Sequence, residues 1–186
     1  TPFGLGCDEW QALNTGDYPA LNFDGLHIFQ WGNMLSSDKL AELWTQMITP
    51  LRQLAEDLNI NLKVLDLGGG LGIPYTLDTP TLSWDALIEA LAKIKCDAGV
   101  TELWMELGRY AVGECGHYAT PVVERKLNYG QQQVIMSGGI NHLLRPAVTS
   151  QDFPARLLRD SNAANQAMSL YGPLCTALDC LGEHQL

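Results

Sequence analysis

The sequence is that of a globular protein of 186 residues, with 46% hydrophobic and 17% charged side chains. Its formal net charge of −10 and pI near 4.6 argue against a nucleic-acid partner, which would require a basic face to neutralise phosphates. No apolar run is long enough to span a bilayer, and five cysteines without a CxxC pair indicate neither a disulfide framework nor a zinc site. We therefore expect no metal ion, no membrane partner and a cytoplasmic location with reduced thiols. The chain begins at Thr1 without an initiator methionine, which predicts a fragment or a processed chain.

The first predicted elements are a strand and a long amphipathic helix. Residues 21–30 are rich in aromatic and aliphatic side chains and predict the strand. A helix cap follows within Ser36-Ser37-Asp38, and apolar residues then recur at three- and four-residue spacing up to Leu58. Pro50 lies inside this pattern and predicts a kink in the helix or its division into two.

A second strand, a second helix and a third strand come next. Residues 62–67 predict the strand, which ends in a run of glycines beginning at Gly68. Ser83 is the predicted cap of the second helix, and Gly99 lies near the end of that helix. Residues 102–106 predict the third strand. This alternation indicates parallel βαβ units, which occur either in a doubly wound sheet or in a (β/α)8 barrel.

The pattern changes after Gly116. Residues 118–126 and 132–136 predict strands, and the short turn Asn128-Tyr129-Gly130 between them indicates antiparallel pairing. We infer a domain boundary within residues 113–120.

Two segments that follow predicted strands could contact a phosphate. The backbone N–H groups of residues 68–70 could bind an anion, although a tight turn explains such a glycine run about equally well. In the second segment, Glu106 and Arg109 flank Gly108 just past a strand end, where the active sites of α/β proteins lie. Taken alone, this second pattern would more often be a surface ion pair.

The segment from Val64 to Gly72 also resembles the first motif of S-adenosylmethionine-dependent methyltransferases. Those Rossmann-like enzymes need an acidic residue at the end of the next strand, about 20 residues on, to bind the ribose hydroxyls. The acidic residue near that spacing is Asp85, which opens a predicted helix instead of closing a strand. The methyltransferase alternative is therefore the weaker one.

Five sequence blocks occur in one order along the chain: Gly25-Leu26-His27-Ile28-Phe29, Asp66-Leu67-Gly68-Gly69-Gly70, Glu106-Leu107-Gly108-Arg109, the segment from Ser137-Gly138-Gly139 to Arg145-Pro146, and Gly172-Pro173-Leu174-Cys175-Thr176-Ala177-Leu178-Asp179. The ordered set resembles the fold-type III pyridoxal-phosphate decarboxylases, which act on diaminopimelate, ornithine, arginine and related amino acids. This resemblance implies an α/β fold in which residues 1–116 form part of a (β/α)8 TIM-type barrel of the alanine racemase-like kind. Residues 117–186 would begin a β-rich C-terminal domain.

The resemblance also implies pyridoxal 5′-phosphate as the cofactor, bound at the mouth of the barrel. The implied phosphate contacts are Gly68, Gly69, Gly70, Gly108 and Arg109. Glu106 would pair with the pyridine nitrogen and keep it protonated, so that the ring accepts the electrons left when CO2 departs. His27, or Phe29 in a shifted alignment, would stack on the ring.

Three further residues are implied to act at the amino-acid substrate. Cys175 matches the cysteine that the partner subunit of a homodimer supplies in this family, where the thiol reprotonates the carbanion after decarboxylation. The expected catalytic residues are thus Cys175 and Glu106. Arg145 resembles an arginine that clamps a substrate carboxylate, with domain packing as its alternative role, and Asp179 resembles an acidic substrate-binding residue.

Departures from the family pattern limit the predicted function. Leu107 replaces a proline, and Ser137 replaces an aspartate near the distal end of the substrate, which disfavours a diamine-forming substrate such as ornithine. The expected substrate is a diaminopimelate- or ornithine-like amino acid, with ornithine itself less favoured, or one from a siderophore or antibiotic pathway. None of the five lysines matches the family's Schiff-base lysine, so we expect the isolated chain to be inactive and its intact parent to be active. A non-catalytic homologue that acts as a binding protein is the alternative.

Overall fold

The computed structural model describes residues 3–76, 79–159 and 161–186. Its elements in chain order are α1 Cys7–Gln11, a 3₁₀ turn Thr15–Asp17, β1 Gly25–His27, α2 Ser37–Asp57, β2 Val64–Asp66, α3 Trp84–Ala98, β3 Glu102–Trp104, α4 Gly108–Val112, β4 Val122–Asn128, β5 Gln131–Met136, α5 Arg145–Thr149, β6 Ala167–Tyr171 and β7 Cys180–Gln185. The chain divides into two units, the first formed by Thr1–Ile73 with Pro80–Glu114 and the second by Pro74–Thr79 with Cys115–Leu186. None of the described helices combines the length and the apolar character that crossing a membrane requires.

The sheet of the first unit is parallel, with strand order β1-β2-β3, as the βαβ pattern predicts. Each strand has three residues, fewer than the sequence predicts. Backbone hydrogen bonds nevertheless continue past the carboxyl ends, where Ile28 N donates to Asp66 O at 2.9 Å and Leu67 N donates to Trp104 O at 3.0 Å. The segments that follow the strands are therefore held side by side.

Two helices cover this sheet, and both begin at the predicted serine caps. Ser36 Oγ accepts a hydrogen bond from Lys39 N at the start of α2, and Ser83 Oγ accepts one from Ala86 N at the start of α3. Contrary to the predicted division, α2 runs without a break through Pro50. Pro50 has no N–H group, so the helix lacks one backbone hydrogen bond there. Burial of apolar residues of α2 on both sides of the proline outweighs this loss. These residues are Leu40, Trp44, Ile48, Leu51, Leu54 and Ala55.

The core of the first unit lies between the sheet and these helices. Leu65 at the centre of β2 and two residues of α3, Leu87 and Ile94, are each about 1% exposed. The three side chains are large and aliphatic, and α2 packs against the same cluster. Burying each of them stabilises the unit by roughly 1.5–3 kcal/mol.

The second unit is built on a sheet with strand order β4-β5-β6-β7. β4 and β5 form the predicted antiparallel hairpin, and its turn has positive φ at both Tyr129 (49°) and Gly130 (81°), as the twist of two-residue hairpins requires. β5 then pairs in parallel with β6, and β6 pairs antiparallel with β7. The core of this sheet is small and consists of Val134, Met136, Leu170 and Leu181.

Candidate functional site

The carboxyl ends of the three parallel strands lie side by side, so the segments that follow them enclose one cavity. In the ladder, His27 lies opposite Asp66, and Asp66 lies opposite Trp104. Beyond this row is an open cavity of about 300 Å³, called here the strand-end cavity. Its walls include Phe29, Gly69, Gly70, Glu106, Gly108 and Arg109. This position, outside the carboxyl ends of a parallel sheet, is where α/β proteins bind ligands.

The glycine run after β2 is packed between the segments that follow β1 and β3. A Cβ atom on Gly69 would lie 2.7 Å from Glu106 O, and one on Gly70 would lie 2.7 Å from Trp31 O. Gly68 and Gly70 also have positive φ, at 66° and 106°. Absence of side chains thus allows three backbone segments to approach one another and form the cavity wall.

Two backbone donors of this run remain available to a ligand. Gly68 N donates to Asp66 Oδ1 at 2.8 Å, so that donor is already used. By contrast, the amides of Gly69 and Gly70 make no hydrogen bond to any other described residue. These two amides and the guanidinium of Arg109, in the first turn of α4, therefore provide hydrogen-bond donors for an anion in the wall of the strand-end cavity.

Glu106 contributes the negative group of the cavity and has a histidine beside it. His27 Nε2 lies 3.4 Å from Glu106 Oε2, with the two side chains 51% and 61% exposed. Asp66 completes a group of three whose nearest ligand atoms lie within 4.8 Å of one another. This spacing would suit a metal ion, but exposed acidic groups commonly cluster in this way without one.

The wall of the cavity contains Phe29, whereas His27 lies beside Glu106. The phenyl ring of Phe29 packs against the glycine run, since a Cβ atom on Gly68 would be 3.1 Å from Phe29 Cδ2. β1 ends at His27, so Phe29 belongs to the segment that follows the strand. The family resemblance left both residues open as stacking partners of the ring, because Phe29 takes the place of His27 in a shifted alignment.

Lysine is missing from the described wall of the strand-end cavity. Lys63 Nζ pairs with Asp24 Oδ1 at 2.6 Å and directly precedes β2, at the opposite end of the strand from the glycine run. Lys93 pairs with Asp97 on α3, and the hydrogen bond and negative charge of Asp97 raise the pKa of Lys93. Both lysines are therefore surface groups paired with aspartates.

Asp179, in the second unit, is the one buried charged side chain in the part of the chain that the structure describes, with 1% exposure. Its Oδ1 atom accepts a hydrogen bond from Ile140 N and its Oδ2 atom accepts one from Leu174 N, each at 2.7 Å. Cys175 follows Leu174 directly and is exposed. The carboxylate thus joins the Gly138-Gly139 segment to the segment that carries the cysteine.

Arg145 lies on an aromatic stack that the sequence analysis did not predict. Its guanidinium carbon is 4.5 Å from the centre of the Tyr75 ring, and that ring stacks on Phe153 with centroids 4.7 Å apart and planes inclined by 11°. Arg145 Nε is buried and has no hydrogen-bond partner within residues 3–76, 79–159 and 161–186. A planar cation held on a ring in this way is oriented for a planar anion.

The profile of one protein family, described as "pyridoxal-dependent decarboxylase, C-terminal sheet domain", matches residues 14–186. The chain belongs to the pyridoxal-dependent decarboxylases. The cofactor of this family is pyridoxal phosphate, and membership excludes the methyltransferase alternative.

Two curated relatives of this chain are decarboxylases. The L-glutamyl-[BtrI acyl-carrier protein] decarboxylase of Niallia circulans is 27% identical over 174 residues, which cover 87% of this chain and 41% of the relative. The 2-[(L-alanin-3-ylcarbamoyl)methyl]-2-hydroxybutanedioate decarboxylase of Staphylococcus aureus is 25% identical over 192 aligned residues, covering 96% of this chain and 48% of the relative. The chain therefore spans less than half the length of these two relatives.

The fold is shared with solved decarboxylases. Diaminopimelate decarboxylase from Helicobacter pylori, in complex with L-lysine, superposes with a TM-score of 0.82 at 22% identity. The superposition covers 99% of this chain and 46% of that enzyme. The mixed α/β fold of the chain is therefore that of the corresponding part of a pyridoxal-dependent decarboxylase.

Proposed function

We propose that the intact protein containing this chain removes CO2 from an amino acid, with pyridoxal phosphate bound in the strand-end cavity. The observation that carries this proposal is the convergence of one carboxylate, one guanidinium and two amides, which have no partner among the described residues, on a single cavity of the first unit. These groups match the cofactor's polar ends, since the guanidinium and amides suit a phosphate and the carboxylate suits a pyridinium nitrogen. When bound, the cofactor supplies a ring that accepts the electron pair left by departing CO2.

In this proposal the phosphate is held by backbone and by one side chain. The amides of Gly69 and Gly70 donate to it, and Arg109 neutralises its charge from the first turn of α4. Gly108 lies in the same wall, and the space next to it is open, since a Cβ atom there would meet nothing within 4 Å. Gly68 acts indirectly, since its amide is bonded to Asp66 and its positive φ shapes the loop.

Glu106 is the proposed partner of the ring nitrogen. A carboxylate at that nitrogen keeps the nitrogen protonated, and this makes the ring a better electron acceptor. His27, 3.4 Å from the carboxylate, orients Glu106. Phe29, in the cavity wall, provides the flat apolar surface against which the ring packs, so the stacking role first considered for His27 goes to Phe29.

We further propose that the first unit is part of a (β/α)8 barrel and that the β-rich C-terminal domain begins near residue 117. The three consecutive parallel strands with intervening helices support the barrel, and the division of the chain after Glu114 supports the boundary. The intact protein would be a cytoplasmic homodimer. In that dimer, Cys175 of one protomer would serve the active site of the other.

Cys175 is the proposed proton donor, and its exposure leaves the thiol accessible. The bond to the carboxyl carbon breaks, CO2 leaves, and the thiol proton forms the new C–H bond where the carboxyl group was attached. Arg145 is the proposed receptor for an anionic group of the substrate. Its position on the Tyr75 ring supports an acidic substrate of the siderophore or antibiotic type over a simple diamine precursor.

The proposal is tested by measuring CO2 release from the intact protein with a panel of amino acids. The panel should contain meso-diaminopimelate, ornithine, arginine and acidic diamino acids. We expect turnover with an acidic member, a loss of about 10²-fold or more in Glu106→Gln, and no change in the surface control Glu89→Gln. Tight binding of pyridoxal phosphate without CO2 release from any member would favour the non-catalytic homologue instead.

A further inference from the structure

We propose that Asp179 is a positioning residue that fixes the Cys175 loop, defined as residues 172–179, instead of a group that contacts the substrate. Only the role of Cys175 as proton donor is taken from the proposed function. The role of Asp179 follows from its own contacts. A carboxylate with 1% exposure and both oxygens bonded to backbone amides has no free face to offer a ligand.

The carboxylate connects two segments that are far apart in the sequence. Ile140 N and Leu174 N both donate to it at 2.7 Å, a length typical of hydrogen bonds to a charged acceptor. One of these donors precedes α5 and the other immediately precedes Cys175. Removing the carboxylate would leave both amides without their present acceptor, so each segment would lose the same anchor.

Two glycines from separate sequence motifs make room for this carboxylate. A Cβ atom on Gly139 would lie 2.1 Å from Asp179 Oδ1, and one on Gly172 would lie 2.3 Å from both carboxylate oxygens. Neither glycine has positive φ, so backbone conformation does not require glycine at these positions. The absence of side chains there is therefore explained by the space that the carboxylate occupies.

The backbone of Asp179 closes the same loop. Its carbonyl accepts from Gly172 N at 2.9 Å, and its N–H donates to Thr176 O at 3.1 Å. Leu174 O in turn accepts from Thr176 N at 2.8 Å. Cys175 thus lies between two anchored residues, and the position of its thiol is set by a group buried beneath the loop.

This geometry has a chemical consequence for proton delivery. The electron pair left by CO2 takes a proton from the face on which a fixed thiol lies, and water later returns a proton to the thiolate. If the loop is not fixed, water can protonate the carbon from either face. Asp179 therefore governs both the rate and the stereochemical outcome of this step without touching the substrate.

The experiment compares Asp179→Asn with Asp152→Asn in the intact protein. Asp152 is a matched control because its carboxylate also accepts a backbone N–H, that of Glu183 at 3.1 Å, but away from the Cys175 loop. Hydrogen exchange is measured at Ile140 and Leu174, and the amine product formed in D2O is analysed for the configuration of its deuterated carbon.

In Asp179→Asn we expect exchange at least about tenfold faster at both amides, a kcat lower by about 10²-fold and a product of mixed configuration. In Asp152→Asn we expect wild-type values for all three. A single configuration with unchanged exchange in Asp179→Asn would overturn the proposal.

A wild-type measurement keeps the test decisive if Asp179→Asn does not fold. We expect the amides of Ile140 and Leu174 to exchange as slowly as those of β6. Exchange at the rate of exposed loop residues would refute the proposal that Asp179 anchors the loop. If the wild-type protein releases no CO2 from any amino acid tested, the proposed function fails. The hydrogen-exchange rates would still show whether Asp179 anchors the Cys175 loop.

Discussion

Gly69 shows why a glycine run at a strand end can serve two purposes at once. Its lack of a side chain lets Glu106 O approach to a distance that a Cβ atom would forbid, and its amide remains without a partner in the described residues. The sequence predicts the run but cannot separate a turn from a phosphate loop. Only the neighbouring backbone, which belongs to segments distant in sequence, shows that close approach builds the cavity.

We expect Gly69→Ala to lower the free energy of unfolding by about 1–3 kcal/mol and to weaken cofactor binding about tenfold, because the new methyl group displaces the Glu106 segment. Urea unfolding and titration with pyridoxal phosphate would measure the two effects. Gly116→Ala is the control, since a Cβ atom on Gly116 meets nothing within 4 Å. Equal stability of the two variants would show that the Glu106 segment moves aside without cost.

Tyr75 is a second residue whose importance becomes visible only in three dimensions. We expect Tyr75→Leu to remove both the contact with the Arg145 guanidinium and the stacking on Phe153, at a cost of about 1–2 kcal/mol in the free energy of unfolding. The KM for an acidic substrate should rise several-fold with little change in kcat. Tyr75→Phe keeps the ring and should retain most of the wild-type KM. If Tyr75→Leu keeps the wild-type KM, Arg145 does not bind the substrate in the way proposed.

Among the elements, the helices and the hairpin follow from local patterns, and the remaining strands do not. Ser36 and Ser83 cap α2 and α3 as predicted, and the Tyr129-Gly130 turn has the two positive φ angles that its composition favours. β6 and β7 were not predicted. Each is short, and the second follows a loop whose shape depends on the buried Asp179 carboxylate, a contact that no local pattern encodes.

The two helices of the first unit are also linked at their starting points. Ser37 Oγ accepts from Ser83 N at 2.9 Å and donates to Ser83 O at 3.3 Å, so one hydroxyl joins the beginning of α2 to the cap of α3. We expect Ser37→Ala to cost about 1 kcal/mol in urea unfolding. Thr45→Ala should cost less, since within the part of the chain that the structure describes its hydroxyl bonds only to Ala41 O of the same helix. A larger loss of stability in Thr45→Ala than in Ser37→Ala would indicate that water replaces the hydrogen bonds of Ser37.

At the level of the whole molecule, the family and the order of its motifs were predictable, whereas the grouping of side chains was not. The resemblance rested on five blocks, and the profile match over residues 14–186 confirms the family. The sequence predicts Asp179 as a substrate-binding residue, and this role stays a prediction, whereas the burial of its carboxylate supports the positioning role proposed above. Side-chain type indicates which chemistry a residue offers, but only the structure shows which residues surround it.

The distribution of lysines makes a prediction for the chain as a whole. Because no lysine lines the described cavity, one equivalent of pyridoxal phosphate followed by borohydride should leave the 20.4 kDa chain at its unmodified mass. The same treatment of the intact parent should add one reduced cofactor. Stoichiometric attachment to a single lysine of this chain, located by peptide mass spectrometry, would contradict the assignment.

The space that Asp179 shares with Gly139 and Gly172 has a bearing on how this protein can change over evolutionary time. The three positions are coupled, since a methyl group at either glycine is compatible only with a side chain at 179 that is smaller than aspartate and therefore not acidic. A related protein without the acid at 179 can carry side chains at 139 and 172, but one that keeps the acid needs glycine at both positions. Among related proteins, residues 139, 172 and 179 should therefore change together or not at all.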